Sequence, residues 1–175
     1  MFTNLLFLTD VVSEVTEKAP ANNGVLIAIV GACVAAILAG IGSILGVQMC
    51  GKAAAGVTAE QPELFGKLLV LQILPGTQGL YGFLAAVLLM LKLGLVGGQV
   101  TELSNEIGWA YFGACMPIAI NGLISAWYQA KVATSAIMMT AKQPDASGKG
   151  ITMAVLVETY AILSLIVSIL LIFGI

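Results

Sequence analysis

The chain has 175 residues, of which 59% are hydrophobic and only 9% charged, with no histidine and a formal net charge of −2. So few charges cannot clothe a soluble domain, and the composition is that of an integral membrane protein. The connections between apolar stretches are too short for an extramembrane catalytic domain; the net charge decides nothing about nucleic acid, and no such partner is expected.

The first twenty residues, MFTNLLFLTDVVSEVTEKAP, lack a basic start, and their apolar run at 5–8 is too short for a signal-peptide core. They read as a retained N-terminal extension, 1–20. Charge-free runs then follow at 19–51, 68–91 and 107–130, and a fourth at 150–175 is interrupted only by Glu158. Each reaches the roughly 20 residues that span a hydrocarbon core. The expected fold class is therefore an all-α membrane protein with four transmembrane helices in contact with lipid. Cys33, Cys50 and Cys115 form no CxxC pair and are expected to be buried small side chains.

Sliding the sequence against itself reveals a gapless repeat at an offset of 82 residues. Gly31, Ala32 and Cys33 fall on Gly113, Ala114 and Cys115, Gly40 on Gly122, and Ser43 on Ser125. TAEQPELFGK at 58–67 lies over TAKQPDASGK at 140–149. Two spans per repeat preserve orientation, so the halves are parallel copies of one helical hairpin, 21–104 and 105–175. The same register sets Gly76 at the position of Glu158. One ionisable site thus serves two hairpins.

The first and third helices are rich in small residues, including Gly42, Ser43, Gly46, Gly122, Ser125 and Ala126. Small residues let helix backbones approach closely in lipid. Because the second and fourth carry the bulky side chains, an inner layer of thin helices and an outer layer facing lipid are expected. Arginine is absent, and five of the seven lysines, Lys52, Lys67, Lys131, Lys142 and Lys149, flank the first and third connections. Lys18 and Lys92 lie on the other side with Asp10, Glu14, Glu17, Glu102 and Glu106. The positive-inside rule then puts loops 52–67 and 131–149 in the cytoplasm and both termini outside, with Trp109, Tyr111 and Phe112 as outer-interface anchors.

Glu158 is a carboxylate in a low-dielectric setting, which makes it a functional-site candidate by default. It lies 14 positions after Pro144, and Gln129 lies 15 before it, so the two are level across their hairpin. Leu74, Thr77 and Gln78 stand at the same height in the first hairpin, and Leu74, Thr77, Gln78 and Tyr81 share one helix stripe. Pro75 removes a backbone donor and, with Gly76 and Gly79, loosens the helix. The i to i−4 rule names Leu71 as the freed carbonyl, and local rules do not single out Leu74. Glu158, Gln78, Gln129, Thr77 and a carbonyl would surround one hard cation with oxygen, as sodium prefers. A proton on Glu158 would need only burial and one or two hydrogen bonds. There is no phosphate-binding G-x-x-x-x-G-K-[ST] loop and no histidine or cysteine cluster, so any ATP chemistry belongs to another chain.

LPGTQGLYGF at 74–83, YQAKVA at 128–133 and VETYAIL at 157–163 resemble motifs of the proteolipid (c or K) subunit of V-type ATPases, most closely the bacterial sodium-coupled form. The resemblance runs from residue 24 to the C-terminus. It implies a bacterial inner-membrane protein whose copies form a rotor ring, working with central-stalk subunits and a stator subunit that supplies an arginine. ATP would be hydrolysed in partner subunits, the chain itself being non-catalytic. It further implies that Glu158 carries the ion, that Leu74 (through its carbonyl), Thr77, Gln78 and Gln129 complete the shell, and that Tyr81 hydrogen-bonds the carboxylate. The implied cargo is Na+, with H+ as the alternative. Two other classes compete: a small four-helix cation/proton antiporter, and a structural tetraspan or channel-forming adhesion subunit in which Glu158 is incidental. The antiporter class lacks a tandem hairpin repeat and places its acid in the first helix.

Overall fold

The computed structural model describes residues 22–98, 100 and 102–175. The extension at 1–20, with Asp10, Glu14, Glu17 and Lys18, lies outside the described residues. Four helices long and apolar enough to cross a membrane follow one another: α1 (Gly24–Glu60), α2 (Pro62–Lys92), α3 (Asn105–Lys142) and α4 (Pro144–Gly174). There is no strand among the described residues. Hydrocarbon offers no water to backbone N–H and C=O groups, so each apolar span has to satisfy them within its own helix.

The repeat writes both hairpin bends in the same two residues. Gln61 (φ −134, ψ 73) and Gln143 (φ −140, ψ 85) leave the helical region, and Pro62 and Pro144 each open a 3₁₀ turn that leads into the next helix. Proline disfavours helical conformation in the residue before it, yet fits a first helical position, where its missing N–H has no partner to lose. The Lys67 ammonium donates to the Pro144 carbonyl at 3.0 Å, linking the two bends. At the other end, Gly94 and Gly98 adopt φ of 72 and 71, a left-handed geometry open to glycine. Ser104 then caps α3 by accepting the Ile107 N–H.

α1 lies along α3, α2 packs on α1, and α4 packs on α3. The α1–α3 approach depends on missing side chains. A Cβ on Gly42 would sit 2.7 Å from the Leu123 Cα, and one on Gly122 would sit 2.9 Å from the Ala39 Cβ. Leu80 and Phe83 on α2 and Leu156, Leu163, Leu170 and Phe173 on α4 face outward, and so do Leu26, Ile37 and Ile44 on α1 and Ile120 on α3, so exposure of bulky side chains is shared by all four helices.

Two expectations are corrected. Tyr111 is buried in an apolar cluster drawn from all four helices, with the Lys92 ammonium 5.6 Å from its ring, while Trp109 alone of the three aromatics is largely exposed. Cys33 is exposed, whereas Cys50 and Cys115 are buried; all three are free. A helix periodicity tells which residues share a face, but the rotation of that face depends on the neighbour it meets.

The buried apolar residues fall into two clusters. One gathers Ala28, Leu89, Tyr111, Ile118 and Ile172; the other gathers Cys50, Leu64, Leu68, Leu71, Ile137 and Ala154. Between them in sequence height lie the buried Ser43, Gln78, Ser125, Gln129 and Glu158. The bundle therefore has a polar layer between two apolar ones.

Gly42→Val should wedge α1 from α3 and destabilise the bundle by about 1–3 kcal/mol, the usual cost of overpacking. Gly40→Ala, whose added Cβ meets nothing within 4 Å, should be neutral. Thermal unfolding in mild detergent separates the two.

Candidate ion-binding site

Pro75 shapes the first wall of the site. Between the α-helical segments Phe65–Ile73 and Thr77–Lys92, one turn of α2 tightens to 3₁₀ at Leu74–Gly76. In that tighter turn the bond runs three residues instead of four, so the Thr77 N–H reaches the carbonyl of Leu74. The Thr77 hydroxyl donates to the same carbonyl at 2.9 Å and lies 3.4 Å from Gln78 Oε1. The i to i−4 rule names Leu71 as the carbonyl that Pro75 leaves without a donor; the carbonyl that the Thr77 side chain engages is that of Leu74.

The remaining groups come from three helices and meet at one height. Gln78 on α2 and Gln129 on α3 are fully buried, and Gln78 Nε2 donates to Gln129 Oε1. Gln129 Nε2 in turn lies 3.4 Å from Glu158 Oε2 on α4. Tyr81, one turn beyond Thr77 on α2, donates its hydroxyl to Glu158 Oε1 at 2.6 Å. Leu74, Thr77, Gln78, Gln129, Glu158 and Tyr81 thus form one connected hydrogen-bond network. Counting residues from the bends puts Leu74, Thr77, Gln78, Gln129 and Glu158 level, and the contacts between helices agree.

Glu158 is 7% exposed, and both hydrogen bonds that reach it come from uncharged groups. Hydrogen bonds stabilise a carboxylate but do not cancel its charge. A buried ion left uncompensated costs several kcal/mol, which a single positive charge removes most directly. The network offers a carboxylate, two amide oxygens, a hydroxyl and a carbonyl: oxygen donors suited to a hard cation, carrying one negative charge in all. That sum matches a monovalent ion or a proton. Among the described residues there is no group of three or more His, Cys, Asp and Glu that would suit a transition metal.

The first hairpin keeps the outline of the same site without its chemistry. Gly76 stands where Glu158 does in the repeat, and Val47 where Gln129 does. The two still adjoin, since a Cβ on Gly76 would lie 3.3 Å from Val47 Cγ2. Glycine and valine there leave a purely apolar contact.

Sequence reasoning missed one neighbour of the site. Ser43, read only as a small residue of the first helix, accepts the Gly79 N–H at 2.7 Å. The signal was present: a proline break leaves the following turn with unpaired N–H groups, and Ser43 stands at nearly the height of Gly79 when each is counted from the first bend.

Comparison with known proteins agrees with this architecture. The model of the ATP synthase C-subunit family matches twice, at residues 30–89 and 112–171, one match in each hairpin at the repeat offset. The chain is 47% identical over 151 residues to the K subunit of the V-type sodium ATPase of Enterococcus hirae, covering 86% of this chain and 93% of that protein. It is 39% identical over 146 residues to the K subunit of the A-type ATP synthase of Methanocaldococcus jannaschii, covering 83% of this chain and 61% of that one. The 16 kDa proteolipid of the V-type proton ATPase of Nephrops norvegicus is 24% identical over 82% of this chain and 87% of its own length. With two family matches in tandem, on the two hairpins that build the buried network, the chain belongs to the ATP synthase C-subunit family.

Proposed function

We propose that the network centred on Glu158 holds one Na+ at a time, and that this chain carries the ion across the membrane as one of many copies in a V-type rotor ring. Glu158 supplies the countercharge. Gln78 Oε1, Gln129 Oε1, Thr77 Oγ1 and the Leu74 carbonyl supply neutral oxygens, and Tyr81 holds the carboxylate in place. The observation that carries this reading is that a single carboxyl group, buried and met only by neutral groups, lies within one network of oxygen donors from α2, α3 and α4. The name of the Enterococcus relative supports sodium as the cargo. The antiporter alternative gains no support, since the acid stands in the last helix of a tandem hairpin repeat.

The cycle is electrostatic. With Na+ bound the site is neutral and can face lipid. An arginine on a stator subunit then competes for the carboxylate, and the displaced ion leaves on one side before another enters from the opposite one. Because taking a lone charge out of water costs several kcal/mol, the empty carboxylate does not move into lipid alone. ATP hydrolysis in partner subunits, coupled through a central stalk, turns the ring; this chain is a non-catalytic subunit. Copy-to-copy packing is supported by Gln48, an amide exposed on a spanning helix and in need of a polar partner that lipid does not offer. The lysine distribution supports cytoplasmic loops at 52–67 and 131–149, with both termini outside a bacterial inner membrane.

Carbodiimide labelling of Glu158 tests the ion. Sodium at neutral pH should protect the carboxyl and Glu158→Gln should abolish ATP-driven 22Na+ uptake; labelling that rises with acid but is indifferent to sodium would assign the site to protons. Tyr81→Phe removes a hydrogen bond to a charged group, of the kind worth about 1.5–3 kcal/mol. It should raise the half-protecting sodium concentration roughly tenfold or more, read by the same labelling.

A further inference from the structure

We propose that Ser43 is a positioning residue for the ion site, acting through the backbone of α2. This rests on the sodium-site reading above and extends it to a residue outside the oxygen shell. The α-helical segment that bears Gln78 and Tyr81 begins at Thr77, immediately after the 3₁₀ turn. The first N–H groups of such a segment have no partner one turn back, and in hydrocarbon no water replaces it. Ser43 on α1 fills that gap for Gly79 at 2.7 Å. The approach is close: a Cβ on Gly79 would lie 3.2 Å from Ser43 Oγ and 3.5 Å from the Gly40 Cα. One hydroxyl therefore ties the start of the segment to α1 between Gln78 and Tyr81, so the directions of the Thr77 and Gln78 oxygens and of the Tyr81 hydroxyl depend on it.

The duplication contains a natural control. Ser125 occupies the position of Ser43 in the second hairpin, but its hydroxyl donates to the Gly122 carbonyl within its own helix. The counterpart of Gly79 is Ala161, inside the unbroken α-helical segment Ser147–Gly174. With Val157 where Pro75 stands, no N–H is freed and no bond between helices forms. The link made by Ser43 thus accompanies a proline break, as does the one other link of this kind among the described residues, in which Ser168 Oγ on α4 accepts the Ile118 N–H just after Pro117 at 3.2 Å.

The test is a sodium chloride titration of carbodiimide labelling at Glu158 in the membrane-embedded complex, with ring assembly followed by native mass measurement. Ser43→Ala should assemble normally and raise the half-protecting sodium concentration about five- to tenfold, in line with one lost hydrogen bond. Ser43→Thr, which keeps the hydroxyl, should stay within about twofold of wild type, and Ser125→Ala should match wild type. The proposal is overturned if Ser43→Ala titrates like wild type, if Ser125→Ala shifts equally, if Ser43→Thr fails to restore protection, or if Ser43→Ala prevents assembly, which would assign the hydroxyl to packing. A wild-type complex whose labelling ignores sodium would refute the sodium site itself, a result distinct from any of these.

Discussion

A carboxylate placed among apolar helices has to have its charge matched, and the hydrogen bonds that reach Glu158 come from a phenol and an amide, neither of which does so. That imbalance organises the bundle. The polar layer lies between two apolar clusters, which exclude water from it above and below. Gln78 and Gln129 are fully buried and use each other as partners, so neither amide is stranded in a low dielectric. The small residues of α1 and α3 matter for the same reason: closely approaching backbones let side chains from α2, α3 and α4 meet around one carboxylate.

The two hairpins have divided the work. In the second, α4 runs unbroken past Glu158 and contributes charge. In the first, Pro75 interrupts α2 and contributes neutral oxygens, including a backbone carbonyl that a regular helix would have bonded elsewhere. Gly76 and Val47 leave the equivalent corner of the first hairpin without a charge or an amide. A single charged site per two hairpins follows, although the backbone scaffold is repeated. The break has its own cost in unpaired N–H groups, which Ser43 offsets at Gly79.

Much of this architecture is legible in the residues themselves. The four spans, the bends at the two Gln-Pro pairs and the 82-residue repeat all follow from local chemistry: apolar length, proline geometry and residue-by-residue register. Residue counting from the bends also sets Gln129 and Glu158 level, because a helix advances about 1.5 Å per residue whatever surrounds it. Where that regularity lapses, so does the reading. In the 3₁₀ turn at Leu74–Gly76 the Thr77 N–H and hydroxyl both engage the Leu74 carbonyl, which only the family resemblance singles out.

The sequence alone determined the helical class, the heights of the polar residues and the presence of one acid in two repeats, since composition and periodicity are local properties. Tertiary structure decided which way each helix faced. It turned Tyr111 inward and Cys33 outward, and it brought Ser43 to the Gly79 N–H. It also joined Tyr81, Gln78, Gln129 and Glu158 into one network. Rotation about a helix axis is set by the fit between neighbouring surfaces, and no single helix contains that information.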